Sequence, residues 1–318
     1  MKRWILSIML LAALSMALVG CGGQSSSGGS TALTILTGSE QGTYYPLGGA
    51  LASIINDEVE NMSATAVTSG ASVANINDVN DNKAELALVQ NDVAFYAVEG
   101  TQFFDQKTEG FSAVATLYPE VVQIVVLADS GIENVDDLRG KRVAVGDQGS
   151  GAEVNARQIL EAHGITYDDI RVEYMKFGTA TEGIQDGNID AGFITAGTPT
   201  AAVEQLKVSK KIRLISLDPQ AIDKLTTDYP YYTPFTVEKD LYGMDEDAQT
   251  LAVQAMLIAS NSMSEEDVYQ ITKAMFEHVD EFAKAHQRSG SYITLDSAQE
   301  GLSVPLHPGA KRFYDEVK

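Results

Sequence analysis

The sequence contains one cysteine, Cys21, and only 22 lysine and arginine residues against 44 aspartate and glutamate residues, so its formal net charge is −22. A single cysteine excludes an internal disulfide, and the fold therefore depends on apolar cores. The shortage of cations excludes nucleic acid as a partner, because phosphate binding requires a positively charged surface. The chain has 318 residues, 44% of them hydrophobic, which is enough to build two cores.

Patterns typical of catalysis are also missing. There are four histidines, and none has a partner at metal-ligand spacing: His163, His278, His286 and His307. The segment Gly149-Ser150-Gly151 lacks the Gly-x-Ser-x-Gly spacing of a nucleophile elbow. No Gly-Lys-Ser/Thr sequence ends a glycine-rich turn, which excludes that type of phosphate loop. We therefore expect the protein not to be an enzyme and to need no metal or cofactor.

The N-terminus has the pattern of an export signal. Two basic residues precede an apolar run, 4–19, that is shorter than a typical membrane span. A glycine then precedes Cys21, which is the order of a bacterial lipobox. We predict a lipoprotein signal peptide at 1–20, a lipid anchor on Cys21 and a flexible Gly/Ser tether at 21–31. The protein would then be exported and anchored to the bacterial membrane, in the periplasm or on the outer face of the cell. The alternative is an ordinary signal peptide with an incidental cysteine.

Beyond the tether, short apolar runs alternate with stretches of helical pattern, starting with 33–37 and a helix near 45–59. A second series of the same kind follows Tyr118-Pro119 and ends near residue 217. Such alternation predicts an α/β fold with parallel strands and right-handed crossovers. The residues after 217 have a more helical pattern, and acidic residues after Ser264 predict a helix over 264–287.

These series predict two lobes. We assign 32–118 together with 218–318 to the first lobe, which carries the C-terminal helices, and 119–217 to the second. Each lobe has a glycine-rich turn between a strand and a helix, at 38–43 and at 146–151. The backbone N–H groups at such a helix entry form an anion site that needs no arginine. The alternative is that both are ordinary tight turns and that the two lobes resemble each other by chance.

Candidate ligand contacts are the polar, aromatic or glycine residues in these turns, at nearby strand ends, or in the aromatic segment 229–235. They are Gly42, Thr43, Tyr44, Tyr45, Ser69, Gln90, Asn91, Ser150, Gly151, Thr195, Thr198 and Tyr232. Hydroxyls supply donors, and tyrosines supply walls with polar tips. Two simpler alternatives stay open: Thr198 caps the helix that follows it, and the aromatic segment packs as a loop against the C-terminal helices.

The order and spacing of these motifs resemble those of the TAXI family of TRAP-transporter solute receptors. The matching segments are 37–38, 42–48, 70–75, 137–143, 149–151, 187–191 and 305–310. The resemblance covers nearly the whole chain after the tether. One departure is Gln41, where the family often has another glycine.

The resemblance implies a type II periplasmic-binding-protein fold, in which two lobes joined by two crossing strands close over a ligand. It also implies an ion-gradient-driven membrane permease as partner, and glutamate or a related dicarboxylate or amino acid as ligand. We expect a monomer that binds a small anionic metabolite. The alternative with the same fold is an ABC-type receptor for a sulfonate or a heterocyclic precursor. A periplasmic enzyme or an adhesin is a third hypothesis, which the motifs do not support.

Overall fold

The computed structural model describes residues 30–317, and from Thr31 onward the chain forms one compact unit. The predicted signal peptide, Cys21 and most of the tether lie outside the described residues. Within the described range, no helix combines the length and the apolar character needed to cross a membrane.

Ten strands form a mixed sheet in the order β2-β1-β3-β10-β4-β7-β5-β6, with β8 paired to β4 and β9 paired to β10. The strands are β1 Thr31–Leu36, β2 Met62–Val67, β3 Leu86–Gln90, β4 Phe111–Leu127, β5 Arg142–Ala144, β6 Arg171–Glu173, β7 Ala191–Ala196, β8 Ile212–Leu214, β9 Thr233–Val237 and β10 Ala248–Ser260. Strands β1, β2 and β3 are parallel to one another, as are β5, β6 and β7.

Helices cover the faces of this sheet. They are α1 Tyr44–Glu58, α2 Ser72–Asn80, α3 Asn91–Glu99, α4 Gly151–Ala162, α5 Phe177–Gln185, α6 Ala201–Ser209, α7 Pro219–Asp228, α8 Lys239–Tyr242, α9 Glu265–Glu277, α10 Val279–Ala285, α11 Gln287–Ser291 and α12 Pro308–Val317. Strand β3 is buried along its whole length, as expected of a strand with helices on both faces.

Two long antiparallel strands, β4 and β10, connect the lobes. Strand β10 pairs with β3 at one end and with β9 at the other. The first part of β4 pairs with β10, and its last part pairs with β7 and β8. Their pairing is irregular beside Pro119, which lies opposite Gln254 and has no N–H to donate. The predicted α/β fold with two lobes and two crossing strands is confirmed.

The single helix predicted over 264–287 is wrong. Helix α9 ends at Glu277, and two short helices follow it. His278 leaves the helical region, with φ −128° and ψ 36°, and its ring nitrogen Nδ1 lies 3.0 Å from the carbonyl oxygen of Ala274. A side chain that bonds to the preceding turn competes with continuation of the helix.

The cores indicate where each lobe begins and ends. Leu225 of α7 and Tyr232 belong to a hydrophobic cluster built around second-lobe strands. Val237 and Tyr242 belong to the other cluster of that lobe. The division into 32–118 with 218–318 and 119–217 stays a prediction, and this packing favours a return to the first lobe along β10 rather than at residue 218.

Candidate functional site

A small cavity of about 40 Å³ lies in the cleft between the two lobes. Most of the predicted contacts line it from both sides: Gly42, Thr43, Tyr44, Ser69, Gln90, Ser150, Gly151 and Thr195. The glycine-rich turns of both lobes therefore meet at one cavity. Whether these residues contact a ligand stays a prediction, but their convergence satisfies its geometric requirement.

The first-lobe turn leaves the N-terminus of α1 without a side-chain cap. Gly42 N donates to Ser39 O at 3.0 Å, which closes the turn. The Thr43 hydroxyl, which stands in the capping position, donates instead across the cleft to Gly197 O at 3.2 Å. A helix N-terminus with free N–H groups carries partial positive charge, so this end of α1 is suited to hold an anionic group.

The second-lobe turn uses its groups differently. Ser150 caps α4, because its hydroxyl accepts a hydrogen bond from Glu153 N at 3.2 Å. The carbonyl oxygen of Gly149 accepts bonds from Val73 N and Ala74 N, at 3.1 and 3.3 Å. These donors begin helix α2 of the first lobe, so the second turn caps a helix on the opposite side of the cleft. The two turns therefore line the same cavity, but the first leaves its helix N-terminus without a side-chain cap, whereas the second caps two helices.

Gln90 spans the gap between the lobes. A Cβ atom on Gly151 would lie 1.9 Å from Gln90 Oε1, so only glycine leaves room for this side chain. Gln90 Nε2 donates to Asn155 Oδ1 of α4 at 3.2 Å. The Oε1 atom is buried and has no hydrogen-bond partner within the described chain. Gln90 therefore joins the lobes and still offers a free acceptor beside the cleft.

Four predicted contacts do not line the cleft. Tyr45 lies on α1 and is 39% exposed. Asn91 bonds to the backbone of Gly301 and Gln254, and Thr198 is buried before Pro199. Tyr232 accepts a bond from Asn155 and donates one to Gln158, at 2.7 Å each, in a buried network. Polar residues at strand ends satisfy other buried groups as readily as they meet a ligand.

Glu120 is a cleft residue that the sequence analysis missed. It lies on β4, is 2% exposed, and accepts a hydrogen bond from the Tyr44 hydroxyl at 2.7 Å. The Tyr118 hydroxyl lies 3.5 Å from its other oxygen. Burial raises the pKa of Glu120 to about 8, although the bond from Tyr44 lowers it. The signal in the sequence was a carboxyl directly before the apolar run 121–127.

Charged side chains at the second-lobe wall were also missed. Lys176 and Asp147 both line the cleft, and Lys176 supplies its cation within the described chain. Phe177 lies beside Lys176 and approaches Gly42, where an added Cβ would be 3.4 Å from its ring. The wall that faces the α1 N-terminus therefore combines an aromatic ring with an ammonium group.

Comparison with known proteins shows the family of the chain and the structures that share its fold. Residues 35–317 match the model of the NMT1-like family. PhnD1 from Prochlorococcus marinus, in complex with methylphosphonate, matches with a TM-score of 0.54 and 10% identity, over 81% of this chain and 88% of that one.

Two further structures have the same fold. A putative L-cystine ABC transporter protein from Listeria monocytogenes has a TM-score of 0.51 and 15% identity, over 85% of this chain and 99% of that one. The alkanesulfonate-binding protein SsuA from Xanthomonas axonopodis pv. citri, bound to MOPS, has a TM-score of 0.50 and 15% identity, with coverages of 85% and 86%. At such identities the likeness establishes the fold. The chain belongs to the NMT1-like family and has the two-lobed fold of periplasmic solute-binding proteins.

Proposed function

We propose that the protein is an exported receptor that captures a small solute with an oxyanion group, such as a sulfonate, phosphonate or carboxylate, and delivers it to an ABC-type importer. The observation that carries the proposal is the N-terminus of α1, which has no side-chain cap and faces a cavity closed by the other lobe. Binding at this end would place the anionic group against backbone N–H donors.

The remaining walls supply selectivity. Lys176 stands at the second-lobe side and adds a positive charge in a strongly acidic protein. Local donors are needed here, because a net charge of −22 does not attract an anion from a distance. The same proposal includes a lipid anchor on Cys21.

The ABC alternative has more support than the TRAP receptor expected from the TAXI motifs. The structures with the same fold include proteins described as binding alkanesulfonates and methylphosphonate, and one described as an ABC transporter for cystine. The TRAP hypothesis rests on the motif order alone. Solute uptake by cells that carry the native gene cluster separates them: an ABC importer stops when ATP is depleted, and a TRAP permease stops when ion gradients are collapsed.

A matched pair of glycine variants tests the site. A Cβ on Gly42 would meet Ser39 O at 3.2 Å and the Phe177 ring at 3.4 Å, whereas a Cβ on Gly49, in α1, would meet nothing within 4 Å. We expect Gly42→Leu to weaken solute binding more than about tenfold, which is about 1.4 kcal/mol, and Gly49→Leu to bind as the unaltered protein does.

The probes are methanesulfonate, methylphosphonate and L-glutamate, screened by thermal shift and then measured by calorimetry. Equal affinity of both variants for whichever probe binds would contradict the cleft site. Binding of none of these oxyanions, at millimolar concentration, would count against the proposed solute class.

A further inference from the structure

Two carboxyl groups are buried where the lobes meet. Asp92 lies in the first turn of α3 and is fully buried, and Glu120 lies on the crossing strand β4 and is 2% exposed. No lysine, arginine or histidine of the described range is among the groups that act on either carboxyl. Buried acids without a counter-ion are costly to keep charged, so their protonation state matters to the closed structure.

The neighbours of Glu120 are neutral or acidic. The hydroxyl of Tyr44, on α1, donates to Oε2 at 2.7 Å, and Tyr118 lies on the same strand as Glu120. From α3, the charge of Asp92 disfavours the charged form of Glu120. Across the cavity, Lys176 and Asp147 line the opposite wall.

Asp92 has partners in both lobes, because the backbone N–H groups of Val93 and of Asp92 itself favour its charged form and lower its pKa. Asn155, on α4, donates to its Oδ2 atom at 3.0 Å, while its Oδ1 atom is buried with no hydrogen-bond partner within the described chain. Burial raises the pKa values of Tyr96 and Tyr232, and the nearby charge of Asp92 raises them further. Both carboxyls are thus buried at the junction of the lobes, in contact with polar groups of Tyr44 and Asn155.

We propose that protons are co-ligands of this receptor: closure of the lobes buries Glu120 and Asp92 and takes up protons on them, so the cleft closes more readily as the pH falls. Opening would return both groups to water and release those protons. The proposal concerns the movement of the lobes and does not depend on which solute the cleft binds.

The direction of the pH dependence follows from the pKa values of the two carboxyls in the closed state. Burial raises the pKa of Asp92 to about 7 and that of Glu120 to about 8, whereas hydrated carboxyls titrate near 4. A group whose pKa is raised in the closed state favours closure at low pH, and this contribution is lost as the pH rises through its closed-state pKa. The contribution is therefore complete below about pH 4, decreases as the pH rises above that value, and is lost by about pH 8.

Lobe closure can be measured directly by fluorescence transfer between two labels. Cys21 is the only cysteine in the sequence, so the full chain with Cys21→Ser accepts a pair of new thiols at exposed sites, Ser53→Cys on α1 and Val208→Cys on α6. We expect the ratio of closed to open molecules to fall at least about tenfold from about pH 6 to about pH 9, without added solute.

Neutral isosteres give the decisive comparison. The double variant Asp92→Asn, Glu120→Gln, in the same labelled chain, should stay closed with no pH dependence over that range. Glu153→Gln is the matched control, because Glu153 is a carboxyl as buried as the other two but paired with Arg157 inside one lobe. It should keep the pH dependence of the unaltered chain.

Two results would overturn the proposal. One is an unaltered chain whose closed fraction is the same at both pH values. The other is a pH dependence that persists in the double variant, provided circular dichroism shows that this variant is folded.

Discussion

The two glycine-rich turns lie at equivalent positions in their lobes but make different contacts. The turn before α1 leaves a helix end without a side-chain cap at the cavity. The turn before α4 has its own helix capped by Ser150 and uses the carbonyl of Gly149 to cap α2 across the cleft. A similar sequence pattern thus gives an uncapped helix end, the candidate ligand site, on one side and a helix cap that reaches across the cleft on the other. Similarity of pattern predicted where the turns would lie, and the neighbours of each turn decide what it contacts.

The largest effect is expected when one glycine in each turn is replaced by alanine, because only the second turn needs glycine for its backbone geometry. Gly146 has φ +101°, and an added Cβ would lie 3.1 Å from the backbone nitrogen of Glu153 and 2.8 Å from Ser150 Oγ. Gly38 has ordinary backbone geometry, with its nearest contact at 3.4 Å. We expect Gly146→Ala to lower the free energy of unfolding by about 2–4 kcal/mol, because strain and crowding add, and Gly38→Ala by less than about 0.5 kcal/mol.

Urea unfolding followed by circular dichroism measures both glycine variants. Equal losses would show that the second turn is not held in the strained geometry that separates it from the first.

A smaller effect is expected where the second turn meets Gln90. In Gly151→Ala the new methyl group clashes with the Gln90 amide as well as breaking its bond to Asn155, so closure and solute affinity should weaken about tenfold. Adding Gln90→Ala removes the obstruction and should restore part of the affinity lost in the single variant. Calorimetry with the solute found by screening measures both. If the double variant binds more weakly than Gly151→Ala alone, the clash with Gln90 is not the cause.

The sequence predicted the parts of the fold that follow local patterns. The apolar runs of β1 and β3 and the glycine-rich entries of α1 and α4 were recognisable because each pattern lies within a few residues. Strand β10 was missed, and its region was expected to be helical. The segment Ala248–Ser260 contains four alanines and is buried almost throughout, so it shows no alternation of polar and apolar residues.

The same difference between local patterns and long-range contacts applies to the residues of the candidate site. Gly42 and Ser150 were predictable from the chemistry of a helix entry, which the adjacent residues define. Glu120 was not, since its hydrogen-bond partner Tyr44 lies 76 residues away in the chain. Asn91 was expected at the cleft but bonds to residues of the C-terminal half, a pairing that only the folded chain reveals.

The smallest effect compares the hydroxyl groups that precede the two helices. Ser150 Oγ caps α4, so Ser150→Ala should lower the free energy of unfolding by about 1 kcal/mol. Thr43 Oγ1 caps nothing and reaches across the cleft to Gly197 O, so Thr43→Ser, which keeps the hydroxyl, and Thr43→Ala, which removes it, should unfold within about 0.5 kcal/mol of each other.

The two threonine variants should nevertheless differ in closure. Thr43→Ala should reduce the closed fraction seen by fluorescence transfer, while Thr43→Ser retains it. Should Ser150→Ala instead change closure and leave unfolding untouched, the assignment of helix capping to the second turn and lobe contact to the first-turn hydroxyl would be reversed.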